Sequence, residues 1–539
     1  MPRKMKAAAT LAAALALTFT GCASTGGNSG ASSSAGGATM SYGTTMSAVA
    51  LDPAGSYDDG SFMVQYQVFP LLFDSEAGGD GTPKPNIVES AKFTSPNEYT
   101  VKLKPNLKFV NGHALTASDV KFSFDRMLKI NDPNGPASLL AGISAVEAPD
   151  DTTAVFTTKT AYDQTIPGVL VSPSSLILDE EVFPADRLAT DQEIIEGKPY
   201  AGQYSIDSYK KNELVSFSPN SDYQGLAGVA KNAGMTIKYY ADTSNMKLDI
   251  ENGAIDAALR TFSATDLQDL SKNKNLNVTS GAGGEIRYIT FNLDTMPYGA
   301  KTAEADADKA KAVRQAIADS IDRKAIASDV FKDTYIPLYS FVPDGVGEKN
   351  EVLKEAYGDG QGGPDADRAA KRLSDAGVAT PVEIKLQYTP EHYGPSSGDE
   401  YAAIKQQLED TGLFKVDLQS TEWVQYTSDR ADDAYPLFQL GWFPDFPDPD
   451  NYLTPFFSEN SFLLNHYDNA EVRKLLSQEV GIDDQAERTG VFSQILAQLT
   501  DDLPTLPLQQ GEQAIVSQKD VKNVKMDISQ KYHLGAMYK

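Results

Sequence analysis

The chemistry that stands out in this chain is a set of carboxylates among aromatic rings. Residues 435–453, YPLFQLGWFPDFPDPDNYL, interleave Asp445, Asp448 and Asp450 with Trp442, Phe443 and Phe446. A carboxylate between apolar walls can hold a small cation or an ammonium group, because poor solvation makes the charge pair count. Pro444, Pro447 and Pro449 keep the chain extended or turning here. The same composition also suits an acidic loop lying over a hydrophobic patch. Calcium fits less well. Tyr452 breaks the alternation of aspartates, and neither the glycine turn nor the closing glutamate of a calcium loop follows.

Other constellations carry less. Residues 358–363, GDGQGG, have the G-x-G-x-x-G form but follow a helical stretch rather than a strand, so they read as a loop. His113, His392, His466 and His533 are spread along the chain and suggest no metal site. No G-x-S-x-G elbow occurs. Spacing cannot pick a glycosidase pair out of 74 acidic residues. Nothing demands catalysis, and the chain reads as a non-enzyme without a cofactor. With 47 basic residues and a net charge of −27, it lacks the basic footprint of a nucleic-acid binder. That charge suits a soluble monomer kept apart by self-repulsion.

The elements that must position the acidic stretch form an α/β pattern. Tyr435, Leu437 and Gln439 alternate with Pro436, Phe438 and Leu440, as in a strand. Upstream, Val382, Ile384, Leu386 and Tyr388 alternate, residues 402–413 read as helix, and Val416 and Leu418 begin another strand. Strand, helix, strand at this length predicts a βαβ unit and a parallel sheet. The acidic loop would leave from the C-terminal end of its strand, where ligand sites in such sheets gather. A helix and turn are expected over 61–73, and strands over 99–103, 108–110, 150–158, 236–240 and 286–292. A helix is expected over 246–259, and two strands within 198–223. Val313, Ile317, Ile321 and Ala325 mark an amphipathic helix, and two more helices are expected over 470–482 and 486–499. Thr116 and Asp119 have capping-box spacing for a helix beginning at 117. At 539 residues the chain is long enough for two or three domains.

The N-terminus reads as an export signal. Arg3, Lys4 and Lys6 precede a short apolar run from Ala7 to Thr20, too short to span a bilayer. FTGC at 19–22 resembles a bacterial lipobox, with Phe19 where an aliphatic residue is usual, which implies lipidation of Cys22. Residues 1–21 would be the signal peptide and 22–49 a flexible Gly/Ser tether. No other stretch is apolar enough to cross a membrane, so a lipid at Cys22 would be the only attachment to the outer face of the cell membrane.

Several segments together resemble the family 5 solute-binding proteins of bacterial ABC importers, of the oligopeptide and dipeptide type. They are YTVKLKPNLKFVNGHALTASDVKFSFDRML (99–128), KPYAGQYSIDSYKKNELVSFSPNSDY (198–223), RYITFNLDTMPYG (287–299), VRQAIADSIDRKAI (313–326) and LGWFPDFPDPDNYL (440–453). The resemblance implies a two-lobe clamshell of the periplasmic-binding-protein type. The first lobe would comprise 50–73, 196–282 and 506–539, with a subdomain inserted at 74–195, and the second lobe 283–505. The hinge would lie near Gly284 and Leu506. Carried over residue by residue, Asp445 corresponds to the aspartate that pairs with a peptide's α-ammonium. Gly441, Trp442 and Phe443 correspond to a strand that hydrogen-bonds the peptide backbone. Trp423 corresponds to an aromatic lining side-chain pockets and Tyr288 to a cleft tyrosine. Ser56, Tyr57 and Asp58 fall where the first lobe offers its backbone. Gln439 stands where some relatives carry an arginine for the peptide C-terminus, and the 388–400 loop has no basic residue. The expected role is peptide capture and delivery to permease subunits, with no metal. An oligosaccharide or other polar ligand is the alternative for the same role, and a secreted glycoside hydrolase the reading from another class.

Overall fold

The computed structural model describes residues 37–539 apart from 260–261, 348–349, 460, 527 and 529–530. The signal peptide, Cys22 and the first part of the tether lie outside the described residues.

Regular structure begins earlier than the composition suggested. Met40–Thr44 is an inner strand, parallel to both Met235–Tyr239 and Ala257–Leu259. Met40 and Tyr42 are its buried apolar residues. Two apolar side chains suffice, because the neighbouring strands satisfy its backbone on both edges. The tether therefore does not extend to residue 49.

This strand belongs to an eleven-stranded mixed sheet. In spatial order the sheet runs Phe414–Ser420, Val382–Tyr388, Leu437–Trp442, Leu276–Phe291, Thr505–Gln518, Ala257–Leu259, Met40–Thr44, Met235–Tyr239, Leu214–Pro219 and Tyr204–Lys210. Tyr335–Pro337 adds to the side of Thr505–Gln518.

Leu276–Phe291 and Thr505–Gln518 pair antiparallel from Leu276 opposite Gln518 to Thr290 opposite Thr505. Their ladder breaks between Ala282 and Ile286, where Gly283, Gly284 and Glu285 stand against Gly511. A Cβ on Gly283 would lie 2.2 Å from the Gly511 carbonyl, so this close approach requires glycine. Beyond the bulge, Ile286, Leu506 and Leu508 pack in one core, while Ile515 packs in another. Two lobes are thus joined by two continuous strands. The bulge falls at Gly284, where the first crossing is expected. The second crossing lies near Gly511 rather than Leu506, because Leu506 is enclosed in the second lobe.

In the second lobe, Val382–Tyr388 and Phe414–Ser420 run parallel around the helix Ser397–Asp410, as their spacing predicts. Leu437–Trp442 lies parallel to Val382–Tyr388 on one side and antiparallel to Leu276–Phe291 on the other. Such an inner strand is covered on both faces, so Leu437 through Gly441 are all buried and do not alternate in exposure.

In the first lobe the expected helix over 246–259 divides. Thr243–Glu251 is helical, Gly253 turns with φ +73°, and Ala257–Leu259 is a strand. The strand expected at 108–110 reduces to a single bridge, Lys108 to Ala114. A separate four-stranded antiparallel sheet runs Val88–Ser95, Glu98–Leu103, Thr153–Thr158, Ile143–Asp150. The helix Ala117–Ile130 starts in the expected capping box of Thr116 and Asp119. Sheet and helix share their own core. Arg126 of that helix donates to both oxygens of buried Asp52, at 2.9 and 2.5 Å, tying this unit to the first segment of the chain.

Candidate ligand cleft

The loop after Leu437–Trp442 reaches the first lobe. The hydroxyl of Tyr57, which stands just before the helix Asp59–Val68, donates to Asp445 Oδ1. Asn451 Nδ2 donates to Asp445 Oδ2 at 3.1 Å. The Asn451 side-chain oxygen accepts the Asp445 backbone N–H and the Trp442 indole N–H, each at 3.0 Å. Asn451 sits in the first turn of the helix Asp450–Phe457, so one amide fixes the carboxylate, the loop and the indole together. Loss of solvation pushes the Asp445 carboxyl up to about 6, against the lowering effect of its two hydrogen bonds. The next residue, Phe446, is buried in the core of the first lobe's four-stranded unit. Gly168 makes room for it: a Cβ there would lie 2.6 Å from the Phe446 ring. The Gln164 N–H also donates to the Val480 carbonyl at 2.8 Å, so the two lobes touch on this side.

The other two aspartates of the stretch are engaged within the second lobe, Asp450 donating its N–H to Asp448 at 2.9 Å and accepting the Thr454 hydroxyl. Arg488 grips Asp448 with two hydrogen bonds of 2.8 and 2.9 Å, and also donates to Glu479 at 2.7 Å. Burial, with Asp450 adding to it, pushes Glu479 up to about 9 despite the guanidinium.

Some residues expected in the cleft lie elsewhere. Gln439 is 1% exposed. It accepts the Thr389 N–H at 3.0 Å and donates to Ser397 Oγ at 3.2 Å, so it holds the 389–397 loop and does not face a ligand. Tyr288 is 3% exposed and packs in the second-lobe core, its hydroxyl 3.4 Å from the Gly441 carbonyl. Asp58 caps its helix, accepting the Ser61 N–H and hydroxyl, each at 2.8 Å. Ser56 is buried, and its hydroxyl accepts from Gln65 at 2.7 Å. Of these three first-lobe residues, Tyr57 has the side chain that crosses to Asp445. Gly441 offers its carbonyl to Tyr288 and Tyr393, and a Cβ there would lie 2.5 Å from the Ile286 carbonyl. Trp442 packs edge-on to Phe456 with ring centroids 5.0 Å apart.

Both lobes bound a cavity of about 450 Å³. The first lobe contributes Met46 and Phe262; the second contributes Phe331, Tyr335, His392, Tyr393 and Phe443. Glu285, Glu391 and Glu512 also line it. Phe443 is the sequence-expected residue among these. His392 stacks flat on Trp423, centroids 3.6 Å apart and planes 2° apart, so the histidine stands between that tryptophan and the cavity. Burial lowers His392 to about 4, leaving its imidazole neutral at pH 7. Behind the wall, Arg287 is enclosed and donates to Glu400 Oε2 at 3.0 and 2.6 Å. The rings of Phe331, Tyr335 and Tyr393 surround its guanidinium at 5.3, 5.6 and 5.6 Å. A signal for this cluster was present in IRYITFN, because an arginine on an inner strand requires a carboxylate partner. The run Glu391-His392-Tyr393 in the 388–400 loop was a second signal, two rings beside a carboxylate.

Asp294, Asp433 and His466 gather on the second lobe despite their wide spacing in sequence. Lys301 Nζ lies 2.7 Å from Asp294 and 3.7 Å from Asp433, so an ammonium already offsets part of the group's charge.

Fold and cleft define a two-lobed α/β binding protein. The family described as bacterial extracellular solute-binding proteins, family 5 Middle, matches residues 82–462, and the chain belongs to that family. It is 24% identical over 502 residues to the probable D,D-dipeptide-binding periplasmic protein DdpA of Escherichia coli, covering 91% of this chain and 92% of that protein. It is 25% identical to di/tripeptide-binding protein 1 of Pseudomonas aeruginosa, covering 82% and 83%. Among solved structures, the ABC transporter substrate-binding protein CtaP of Listeria monocytogenes superposes with TM-score 0.79 at 22% identity, covering 93% and 99%. DppA of Helicobacter pylori, solved with the peptide STSA, gives TM-score 0.72 at 18% identity, covering 93% and 98%. These relatives are binding proteins, not enzymes.

Proposed function

We propose that this chain is the substrate-capturing lipoprotein of an ABC importer, taking peptides outside the cell and handing them to permease subunits. The observation that carries this reading is a cavity walled by both lobes, next to a loop whose Asp445 reaches from one lobe to the other. Peptide binding by the named relatives supports the choice of ligand. A peptide's α-ammonium pairs with Asp445, while Gly441, Trp442 and Phe443 supply backbone and ring contacts. Trp423 acts through the histidine stacked on it. Closure buries the ligand, and only contacts that differ between open and shut forms shift that balance.

The same reading assigns 1–21 to a signal peptide and Cys22 to the lipid anchor on the outer face of the membrane. It divides the chain into a first lobe of 50–73, 196–282 and 506–539 with 74–195 inserted, and a second lobe of 283–505, shifted by the early strand and the crossing near Gly511. The protein works as a monomer and binds no nucleic acid. Mass spectrometry of material that co-purifies with the chain, followed by calorimetry, tests the ligand class. Peptides are expected. Recovery of sugars, with thermal stabilisation by sugars and not by peptides, would favour the oligosaccharide alternative, for which the flat faces of Tyr393 and Phe443 are suited.

A further inference from the structure

The carboxylates on the cavity wall are not equally supplied with partners. Glu391 is held by neutral donors, the Thr389 hydroxyl at 3.0 Å and the Trp423 N–H. Arg287, behind the wall, is already engaged by Glu400. Glu512 lines the cavity from the strand Thr505–Gln518, and no described residue donates to its carboxylate or pairs with it. It is half-buried, and loss of solvation raises its pKa. Partial burial makes it a somewhat better partner for a cation than a fully solvated carboxylate. Around the same cavity stand the rings of Phe331, Tyr335, Tyr393 and Phe443, the first three already packed round the Arg287 guanidinium.

We infer that Glu512 makes the cavity selective for peptides bearing a lysine or arginine side chain, whose cation it receives. This inference rests on the peptide reading above. The Glu512 carboxylate on the cavity wall attracts the cationic side chain, is left without a partner by a neutral one, and repels an anionic one.

The test is calorimetry on chain freed of bound ligand, with the tripeptides Ala-Lys-Ala, Ala-Leu-Ala and Ala-Glu-Ala and the pentapeptides that extend each by one alanine at both ends. The lysine members should bind on the order of tenfold tighter than the leucine members, and the glutamate members weakest. Glu512→Gln should shrink the lysine-to-leucine ratio several-fold, with unchanged melting of the ligand-free chain as the check on folding. If that variant fails to fold, Glu512→Ala should shrink the ratio in the same direction. Equal binding of lysine, leucine and glutamate members overturns the charge selectivity while leaving peptide capture standing. A ratio that survives substitution of Glu512 also overturns it. Failure of every peptide to bind overturns both readings together.

Discussion

Asp445 shows how one side chain can be poised for a guest. Its carboxyl is already poorly solvated, it faces the other lobe, and neutral donors hold it. An arriving ammonium would therefore meet a strong partner. Asp445→Ala should weaken peptide binding by about 3 kcal/mol, roughly a hundredfold in Kd, as read by calorimetry. Unchanged affinity would remove the assignment. The pH dependence follows in sign. The free carboxyl titrates at about 6, and a bound ammonium lowers that value. Affinity should be full above about pH 6 and fall as pH drops below it, up to roughly tenfold per unit, until the complex itself takes up the proton. An Asp445→Asn chain should show a flat profile over the same range. Asp445 was legible because a carboxylate among rings is chemically unusual. Tyr288 and Gln439 were not placed correctly, because an inner strand buries both faces and the sequence does not say which face looks on the cleft. Glu512 gave no signal, since one acidic residue in an exposed-looking strand resembles any other.

Elements were legible where a local rule decides them. The capping box at Thr116 and the alternation over 382–388 both reappear in the structure. Met40–Thr44 and Ala257–Leu259 were missed, since each is short and takes its stability from neighbours far away in sequence. Gly441 depends on such a distant neighbour. A methyl group there meets the Ile286 carbonyl at 2.5 Å and the Tyr393 ring at 2.9 Å. Gly441→Ala should cost about 1–3 kcal/mol by overpacking, visible as a lower Tm of the ligand-free chain. A variant that melts with the parent would show that the strand yields freely at this point.

At the scale of the whole molecule, the contacts that hold the lobes together without a ligand include the Tyr57 hydroxyl on Asp445, the Phe446 ring in the opposite core and the Gln164 N–H on the Val480 carbonyl. Phe446→Ala removes most of a buried ring from that junction, worth about 1.5–3 kcal/mol in burial. Combined with Tyr57→Phe, it should shift the ligand-free chain toward an open form, read as a larger radius of gyration by small-angle scattering. Ligand at saturation should restore the compact value. A radius that does not change would mean that the lobes are held by other contacts. The order of the lobes along the chain came from resemblance of segments, because pairing between residues 276–291 and 505–518 is beyond any local pattern.

That pairing has a consequence for speed. The strands Leu276–Phe291 and Thr505–Gln518 pair on both sides of the glycine bulge, so a twist confined to the bulge would leave the ladder on either side intact. No stretch of backbone has to melt and re-form in each cycle of the jaw. In the chain carrying Tyr57→Phe and Phe446→Ala, whose lobes are expected to start apart, uptake should then proceed at roughly 10⁵–10⁷ M⁻¹s⁻¹ in stopped-flow mixing, without a slow phase independent of peptide concentration.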